Sequence, residues 1–471
     1  MPTESISSTD QHGLAMTAPS DGIALYDATL SHLLPYDAGL LDLLGRLNEE
    51  HPDMAMTHVM TGYLTLTSTD QPDVAGAAEA VTQLRAISMN EREAAHERAL
   101  AAWVGGDWHG ASARLDDLLQ RWPADLLALL VGHQLDFFLG DAANLRDRPA
   151  RSLMSIDSEH PHAGFARGMM SFGLEESGSY EAAEDLGRQA LAVNPRDVWA
   201  VHAVTHANEM RGRVDDGIRF LRGRADDWAA GNLFTVHNWW HLALFHLEAG
   251  QHDEVLAIYD REIHHAESMG VPLEMLDASA LLWRLMLDGV DTGGRFETLA
   301  DAWAARSAAE PWYAFNDLHA VLALVGAGRI ADAAAVVERL QAYVDANSAT
   351  SNAMMTATVG LPACRAIVAY GTGQYAQAVR ELAPIRRISS RFGGSHAQRD
   401  VLQRTLLDAA IADGQHDVAR VLVSERLTTR DTSVYGWTRQ ARLMRAMGRI
   451  DDADVAEQRA RSNRERFAAA G

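Results

Sequence analysis

The chain has 471 residues, of which 47% are hydrophobic, and it carries a formal net charge of −23. That length allows roughly two to four conventional domains or one long repeat array. Because binding of nucleic acid ordinarily needs a basic face, the acidic balance predicts that nucleic acid is not a partner. The single cysteine, Cys364, excludes an intrachain disulfide and favours a reducing, cytoplasmic location.

The N-terminal residues 1–21 differ from the rest of the chain. They are rich in Ser and Thr and lack the basic start and apolar core of a signal peptide, so they are predicted to be a disordered tail. Residues 22–471 form the predicted structured part. No apolar run near 18 residues is evident, which predicts no transmembrane helix and no membrane partner.

A repeat unit is visible between Phe172 and Asp197. An apolar segment ends at Gly178, a second segment begins at Tyr180 with small residues, and Asn194-Pro195 closes the unit. This order is the tetratricopeptide signature, in which glycine makes the turn between two helices and proline stops the second helix.

Glycines that follow an apolar segment recur along the chain at intervals of 34 to 45 residues. They are Gly106, Gly140, Gly178, Gly212, Gly250, Gly289, Gly328, Gly373, Gly414 and Gly448. Upstream, Leu40–Thr67 is predicted to form an extra hairpin without a turn glycine, followed by a loop and helix start at 71–82. The pattern predicts an all-α protein without a sheet, a single right-handed α-solenoid of about ten hairpins.

The stretch from Trp199 to Gly250 holds an unusual set of side chains. His202 and His206 are four residues apart, as are His237 and His241, and residues with this spacing share a face of a helix. Counted back from the turn glycine, the first pair takes the concave positions of the repeat. So do several neighbours and aromatic residues of other repeats, namely Trp199, Glu209, Trp240, Phe172 and Phe315. The array is therefore predicted to carry a histidine and aromatic surface on its concave side.

Five motifs follow one another along the chain, at Trp199–Met210, His237–His241, Phe315–His319, Gly360–Pro362 and Gly393–Asp400. Together they resemble a bacterial member of the tetratricopeptide repeat protein 38 family. They span roughly residues 160 to 425 of this chain. The resemblance implies the helical-repeat fold, and it implies no particular activity.

Neutral imidazoles can exchange protons near neutral pH, and a carboxylate beside one fixes its tautomer. We therefore predict His202, His206 and His241 as proton-transfer groups and Glu209 and Asp317 as orienting groups. The predicted ligand-binding residues are Trp199, His237, Trp240, Phe172, Phe315, His319, Ser395 and His396. No cofactor is predicted, although the histidine spacing leaves zinc or another divalent metal open at His202, His206 and His241. Each of these histidines also has a plain interpretation as a hydrogen-bonded packing residue.

The late motif at Gly393–Asp400 predicts a helix capped by Ser395. Its functional interpretation is a second wall that faces the central repeats, and its plain one is a capped helix with an ion pair. His160 and His162 precede a helix and are interpreted as loop residues or caps, and Cys364 as buried packing.

Two functions from different classes remain open. The first is an enzyme, a hydrolase or lyase, that acts on a small, partly aromatic or carbonyl-containing molecule. The second is a non-catalytic adaptor that binds a protein or peptide on its concave face, which is the usual role of such repeats. A homo-oligomer is compatible with either.

Overall fold

The computed structural model describes residues 7–307, 309–346 and 349–470. Helices dominate this part of the chain, which confirms the all-α, helical-repeat prediction. One small sheet lies before the predicted helical part, in residues 7–17. Two short strands, β1 (Ser7–Thr9) and β2 (Ala15–Thr17), pair antiparallel near the N-terminus.

The N-terminal hairpin lies in the segment predicted to be a disordered tail, so the described residues from 7 onward are ordered. Gly13 makes the turn with φ 75°, and the Asp10 carboxylate accepts the backbone N–H of Leu14 at 2.9 Å. Met16 is buried, and the N–H of Thr17 donates to Glu93 at 2.7 Å. Composition alone could not reveal this order, because the anchors come from residues far along the chain.

The chain forms two compact units, which are described separately. The first comprises the described residues up to Val204, with 227–235 and 350–352. Its helices are α1 (Ser20–Leu33), α2 (Leu40–Glu50), α3 (Ala55–Thr67), a 3-10 turn (Gln71–Asp73), α4 (Val74–Ala86), α5 (Glu91–Val104), α6 (Trp108–Arg121), α7 (Leu126–Leu139), α8 (Ala142–Leu153), α9 (Ala163–Glu176), α10 (Tyr180–Val193) and the start of α11 (Val198–Met210). The extra hairpin predicted at Leu40–Thr67 is confirmed as α2 and α3.

The second unit comprises the described residues of 205–226, 236–349 and 353–471. It contains the end of α11, α12 (Val214–Gly223), part of α13 (Ala225–Trp228), nearly all of α14 (Thr235–Glu248), α15 (His252–Ile258), a π turn (Tyr259–Ile263), α16 (Pro272–Leu287), α17 (Arg295–Ser307), α18 (Ala314–Gly326), α19 (Ile330–Ala346), most of α20 (Ser351–Met355), a π turn (Thr356–Gly360), α21 (Leu361–Gly371), α22 (Tyr375–Ile385), a 3-10 turn (Ser389–Phe392), α23 (His396–Ala412), α24 (His416–Thr429), α25 (Val434–Ala446) and α26 (Ile450–Ala470).

The ten predicted turn glycines all lie between paired helices with φ between 67° and 81°. This left-handed conformation is strained for any residue with a Cβ atom, which explains why glycine recurs at the turn. The predicted ladder of helical hairpins is therefore confirmed, and the hairpins are tetratricopeptide-like.

Within the second unit, the late helix α23 packs against the central helix α16. The Trp283 indole N–H donates to the Thr405 hydroxyl at 2.9 Å, and Arg284 donates to the carbonyl of Ala397 at 2.7 Å. These buried contacts bring the 393–400 motif beside the central repeats. The interpretation of this motif as a second wall requires that position.

One helical segment, Ser351–Gly371, is long and apolar enough to cross a membrane by length and composition. The most apolar 18-residue window of this segment has a mean hydropathy of 1.3, and it contains Pro362 and Arg365. The most apolar window is 61% buried inside the protein. A buried core helix passes the same test of length and composition.

Candidate histidine centre

Three of the predicted histidines come together in the second unit. His206 lies on α11, and His237 and His241 lie one turn apart on α14. His206 and His241 are fully buried, whereas the His237 side chain keeps 18% of its exposure. One ring nitrogen from each of the three lies within 4.8 Å of the others.

Two of these histidines are each held by a buried carboxylate. His237 Nδ1 is 2.6 Å from Asp277 Oδ2, and His241 Nδ1 is 3.1 Å from Glu209 Oε2. An ionised carboxylate can only accept a hydrogen bond, so each Nδ1 is then the protonated nitrogen of its ring. Ligand histidines of protein metal sites commonly donate Nδ1–H to a carboxylate in this way.

The other nitrogens of the same two rings face each other. His237 Nε2 and His241 Nε2 are 3.2 Å apart. If Nδ1 carries the proton in both neutral rings, two lone pairs meet at this distance, and that contact is repulsive. A cation or an additional proton between the two nitrogens would remove the repulsion, so this pair of rings is suited to accept a positive charge.

His206 completes the group from the facing helix. Its ring centroid is 4.4 Å from that of His241, with the rings 68° apart. The three imidazoles therefore approach one point from two helices, which is the arrangement that three ligands of a metal ion require.

The wall around this centre is aromatic and cationic. Trp240 is fully buried and stacks on His237 with ring centroids 5.3 Å apart. The Arg284 guanidinium lies 5.6 Å from the Trp240 ring. From α23, Gln398 donates to the second oxygen of Asp277 at 3.3 Å. The Asp277 carboxylate is thereby held on both sides.

Burial raises the pKa of Glu209, and the nearby charges of Arg430 and His206 act against this rise. Burial also lowers the pKa of Arg284 to about 10, with the charge of Arg404 acting in the same direction. A positive charge at the histidines would favour the ionised form of Glu209, because opposite charges at this range stabilise each other.

Three predicted residues belong to the first unit. Trp199 is buried there, and its indole N–H donates to the Leu34 carbonyl at 2.9 Å. The His202 ring packs between Phe172 and Phe234, with centroid distances of 4.8 and 4.9 Å. His202 lies one turn before His206 on α11.

Asp317 was predicted as the second orienting carboxylate, and this assignment is corrected. Its Oδ2 has no hydrogen-bond partner among the described residues, and burial raises its pKa to about 7. Asp277 occupies the predicted position beside His237 instead. Asp317 lies two residues after Phe315 on α18, about 200° around the helix, and so points away from that face.

His319 and Phe315 pack against each other rather than against the histidine centre. His319 Nδ1 bonds the Phe315 carbonyl at 2.7 Å, and the two rings lie 4.5 Å apart. Burial lowers the pKa of His319 to about 4. Cys364 is buried, and burial raises the pKa of its thiol, which agrees with inert packing.

The 393–400 motif is mainly structural. Ser395 and Gln398 form a reciprocal capping box at the start of α23, which confirms the predicted cap. A Cβ at Gly394 would lie 2.4 Å from the Phe315 ring, and the φ of Gly394 is 75°. Asp400 pairs with Arg426 at 2.7 Å. His396 is partly exposed, and its role as a ligand-binding residue stays a prediction.

An open depression of about 650 Å³ lies on the first unit. Its lining includes His109, Asp116 and Asn144 and contains none of the predicted site residues. This depression is thus not the cavity that was predicted around the histidines, and that cavity stays a prediction.

Sequence reasoning missed Asp277 and Gln398. Asp277 lies on the mostly apolar helix α16, which also carries Glu274 and Arg284, and it is fully buried. A buried carboxylate needs a partner, and this was the signal that the sequence offered. Gln398 lies in the same motif as the Ser395 cap, and nothing local in the sequence indicates its contact with Asp277.

No protein-family model matches the sequence. Solved structures similar to this chain include the human IFIT1 dimer with m7Gppp-AAAA, at 13% identity and a TM-score of 0.36. The match covers 94% of this chain and 89% of that one. The human IFIT1 dimer with PPP-AAAA matches at 13% identity and a TM-score of 0.37, covering 94% and 90% of the two chains.

The prediction that nucleic acid is excluded as a partner is wrong, because these matched helical-repeat structures contain RNA. The prediction relied on the net charge of the whole chain, which does not describe the local charge of a binding surface. A net charge of −23 sums the whole chain, whereas recognition depends on where the individual Arg side chains lie. At these TM-scores the match identifies neither a ligand nor a binding surface in this chain.

Proposed function

We propose that this chain is a helical-repeat binding protein whose second unit holds a divalent transition-metal ion at His206, His237 and His241. The observation that carries the proposal is the 3.2 Å separation of two Nε2 atoms whose Nδ1 atoms face buried carboxylates. Two nitrogen ligands on a tetrahedral zinc ion lie about 3.4 Å apart, given bonds of about 2.1 Å. The observed spacing matches that value.

The chemistry of the donors supports a borderline metal such as zinc or cobalt. Imidazole nitrogens suit these ions, whereas magnesium and calcium prefer oxygen ligands. Three protein ligands leave one position of a tetrahedron for water or for a ligand oxygen. Asp277 and Glu209 would then hold the rings in the tautomer that coordinates through Nε2.

In the metal-free state a single proton between the two Nε2 atoms would relieve the same repulsion. The centre would then act as a shared acid and base, the metal-free form of the catalytic hypothesis. The two forms are distinguishable, because only one of them takes up a metal ion.

A finer part of the proposal concerns the reaction. A metal ion held by these histidines would supply an activated water near neutral pH, and this chemistry favours hydrolysis of a small carbonyl compound. Trp240, stacked on His237, provides an aromatic wall for such a ligand. The alternative is a binding protein without turnover, and the helical-repeat fold itself favours that class. Membership of the tetratricopeptide repeat protein 38 family and a cytoplasmic location belong to the same proposal.

The test is a Co(II) titration of the untagged, metal-free full chain, followed through the visible absorption of the bound ion. We expect a tetrahedral spectrum, and H237A and H241A should each lower the bound Co(II) by about one ion per chain. H319A is the control, because His319 is buried in the same unit and lies outside the centre. An unchanged Co(II) stoichiometry in both H237A and H241A would overturn the proposal.

Turnover is tested separately with 4-nitrophenyl acetate. Hydrolysis that a chelator abolishes and zinc restores, in the wild type but not in H241A, supports the hydrolase. Metal uptake without hydrolysis of this ester or of related carbonyl compounds would leave the binding protein as the better description.

A further inference from the structure

The N-terminal hairpin brings a histidine onto two others that sequence analysis interpreted as loop residues or caps. His12 follows β1, and His160 and His162 precede α9. The three rings lie together in the first unit, with centroid distances of 4.4, 5.3 and 5.0 Å. One ring nitrogen from each lies within 4.8 Å of the others.

We propose that His12, His160 and His162 form a second transition-metal site, which ties the N-terminal hairpin to the loop before α9. This site is separate from the centre at His237 and His241, since all three of its residues belong to the first unit. Its imidazole donors call for zinc, cobalt, nickel or copper.

The closest ring atoms have the spacing of two ligands on one ion. His162 Nδ1 and His12 Nε2 are 3.2 Å apart, against about 3.4 Å for nitrogen ligands on tetrahedral zinc. His160 Nδ1 accepts the backbone N–H of His162 at 3.1 Å, so in the neutral ring the proton is on Nε2. Coordination through His160 Nδ1 keeps that tautomer and replaces the hydrogen bond with a metal bond.

The surroundings permit a cation to enter and stay. His12 and His160 are partly exposed, whereas His162 is 7% exposed. The Asp10 carboxylate accepts the backbone N–H of His12 at 2.9 Å, and Arg92 pairs with Asp125 at 2.9 Å.

The site would reinforce anchors that already hold the hairpin. The N–H of Gln11 donates to Asp27 at 3.0 Å, and Asp10 lies 3.5 Å from Arg92. A bound ion adds a covalent-like link from His12 to the α9 loop. It therefore stabilises the hairpin against local opening, because an ion that binds the closed form shifts the equilibrium toward it.

The test measures metal stoichiometry and local protection in the untagged full chain. In the H237A/H241A background, which removes the first centre, we expect about one Zn(II) or Co(II) per chain, and H12A or H160A should each remove it. H12A is informative because the residue is partly exposed on a hairpin, so its loss leaves the helical core intact. H264A/H265A, a pair of neighbouring histidines in the second unit, is the control.

Hydrogen exchange reports the proposed link. Added Zn(II) should slow exchange of amides within residues 9–17 at least about tenfold in the H237A/H241A chain, and not when H12A is added. Unchanged uptake in H12A and H160A would overturn the site. An equal loss in H264A/H265A would mean an adventitious ion only, which also overturns it. Specific binding without slower exchange would overturn the hairpin link.

Discussion

Replacing Asp277 with Asn tests the assignment of the carboxylate that holds His237. The substitution keeps the size of the side chain and an acceptor oxygen, but it removes the charge that now lies 2.6 Å from His237 Nδ1. Loss of such a carboxylate partner of a ligand histidine typically weakens metal affinity about 10- to 100-fold. This range corresponds to about 1.4 to 2.8 kcal/mol of binding free energy. We expect D277N to fall within it.

The assay is competition between the chain and a chromophoric chelator for Zn(II), with Kd measured for the wild type and each variant. D317N is the matched control, because Asp317 lies in the same unit and has no described hydrogen bond to a histidine. It should leave Kd unchanged. Equal effects of D277N and D317N, or none from D277N, would refute the assignment of Asp277.

The remaining predictions concern stability. Gly394→Ala should lower the free energy of unfolding by about 2–4 kcal/mol in urea titrations, since it adds a strained φ and a clash with a ring 2.4 Å away. Gly373→Ala, with φ 74° and open space, should lose only about 1–2 kcal/mol, and equal losses would contradict the clash. Burial raises the pKa of Asp197 to about 7, so the native state binds more protons than the unfolded state between pH about 4 and 7, and stability falls as pH rises there. Asp197→Asn should flatten that slope in melting experiments, and an unchanged slope would count against the shift. Burial would raise the pKa of Glu248, but its arginine partners lower it to about 2, so its stabilisation is complete above pH about 4.5 and is lost toward pH 2. Glu248→Gln should remove this part of the acid denaturation, and an identical acid midpoint would refute it.

The sequence by itself was sufficient for the repeat architecture. Gly106 and the other turn glycines recur because the turn between paired helices needs a left-handed residue, and this requirement is local. The Ser395 cap and the pairing of His237 with His241 on one helical face are local in the same way, since they depend on helix geometry alone.

The partners of those side chains were decided by the tertiary structure. Asp277 lies 40 residues beyond His237, and His12 lies 150 residues before His162, so no helical period relates them. The sequence suggested two carboxylates, and of these Glu209 contacts His241 whereas Asp317 makes no described hydrogen bond to a histidine. The rotation and approach of helices are set by the packing of whole helix faces. The sequence pattern of one helix does not show which surface that helix packs against.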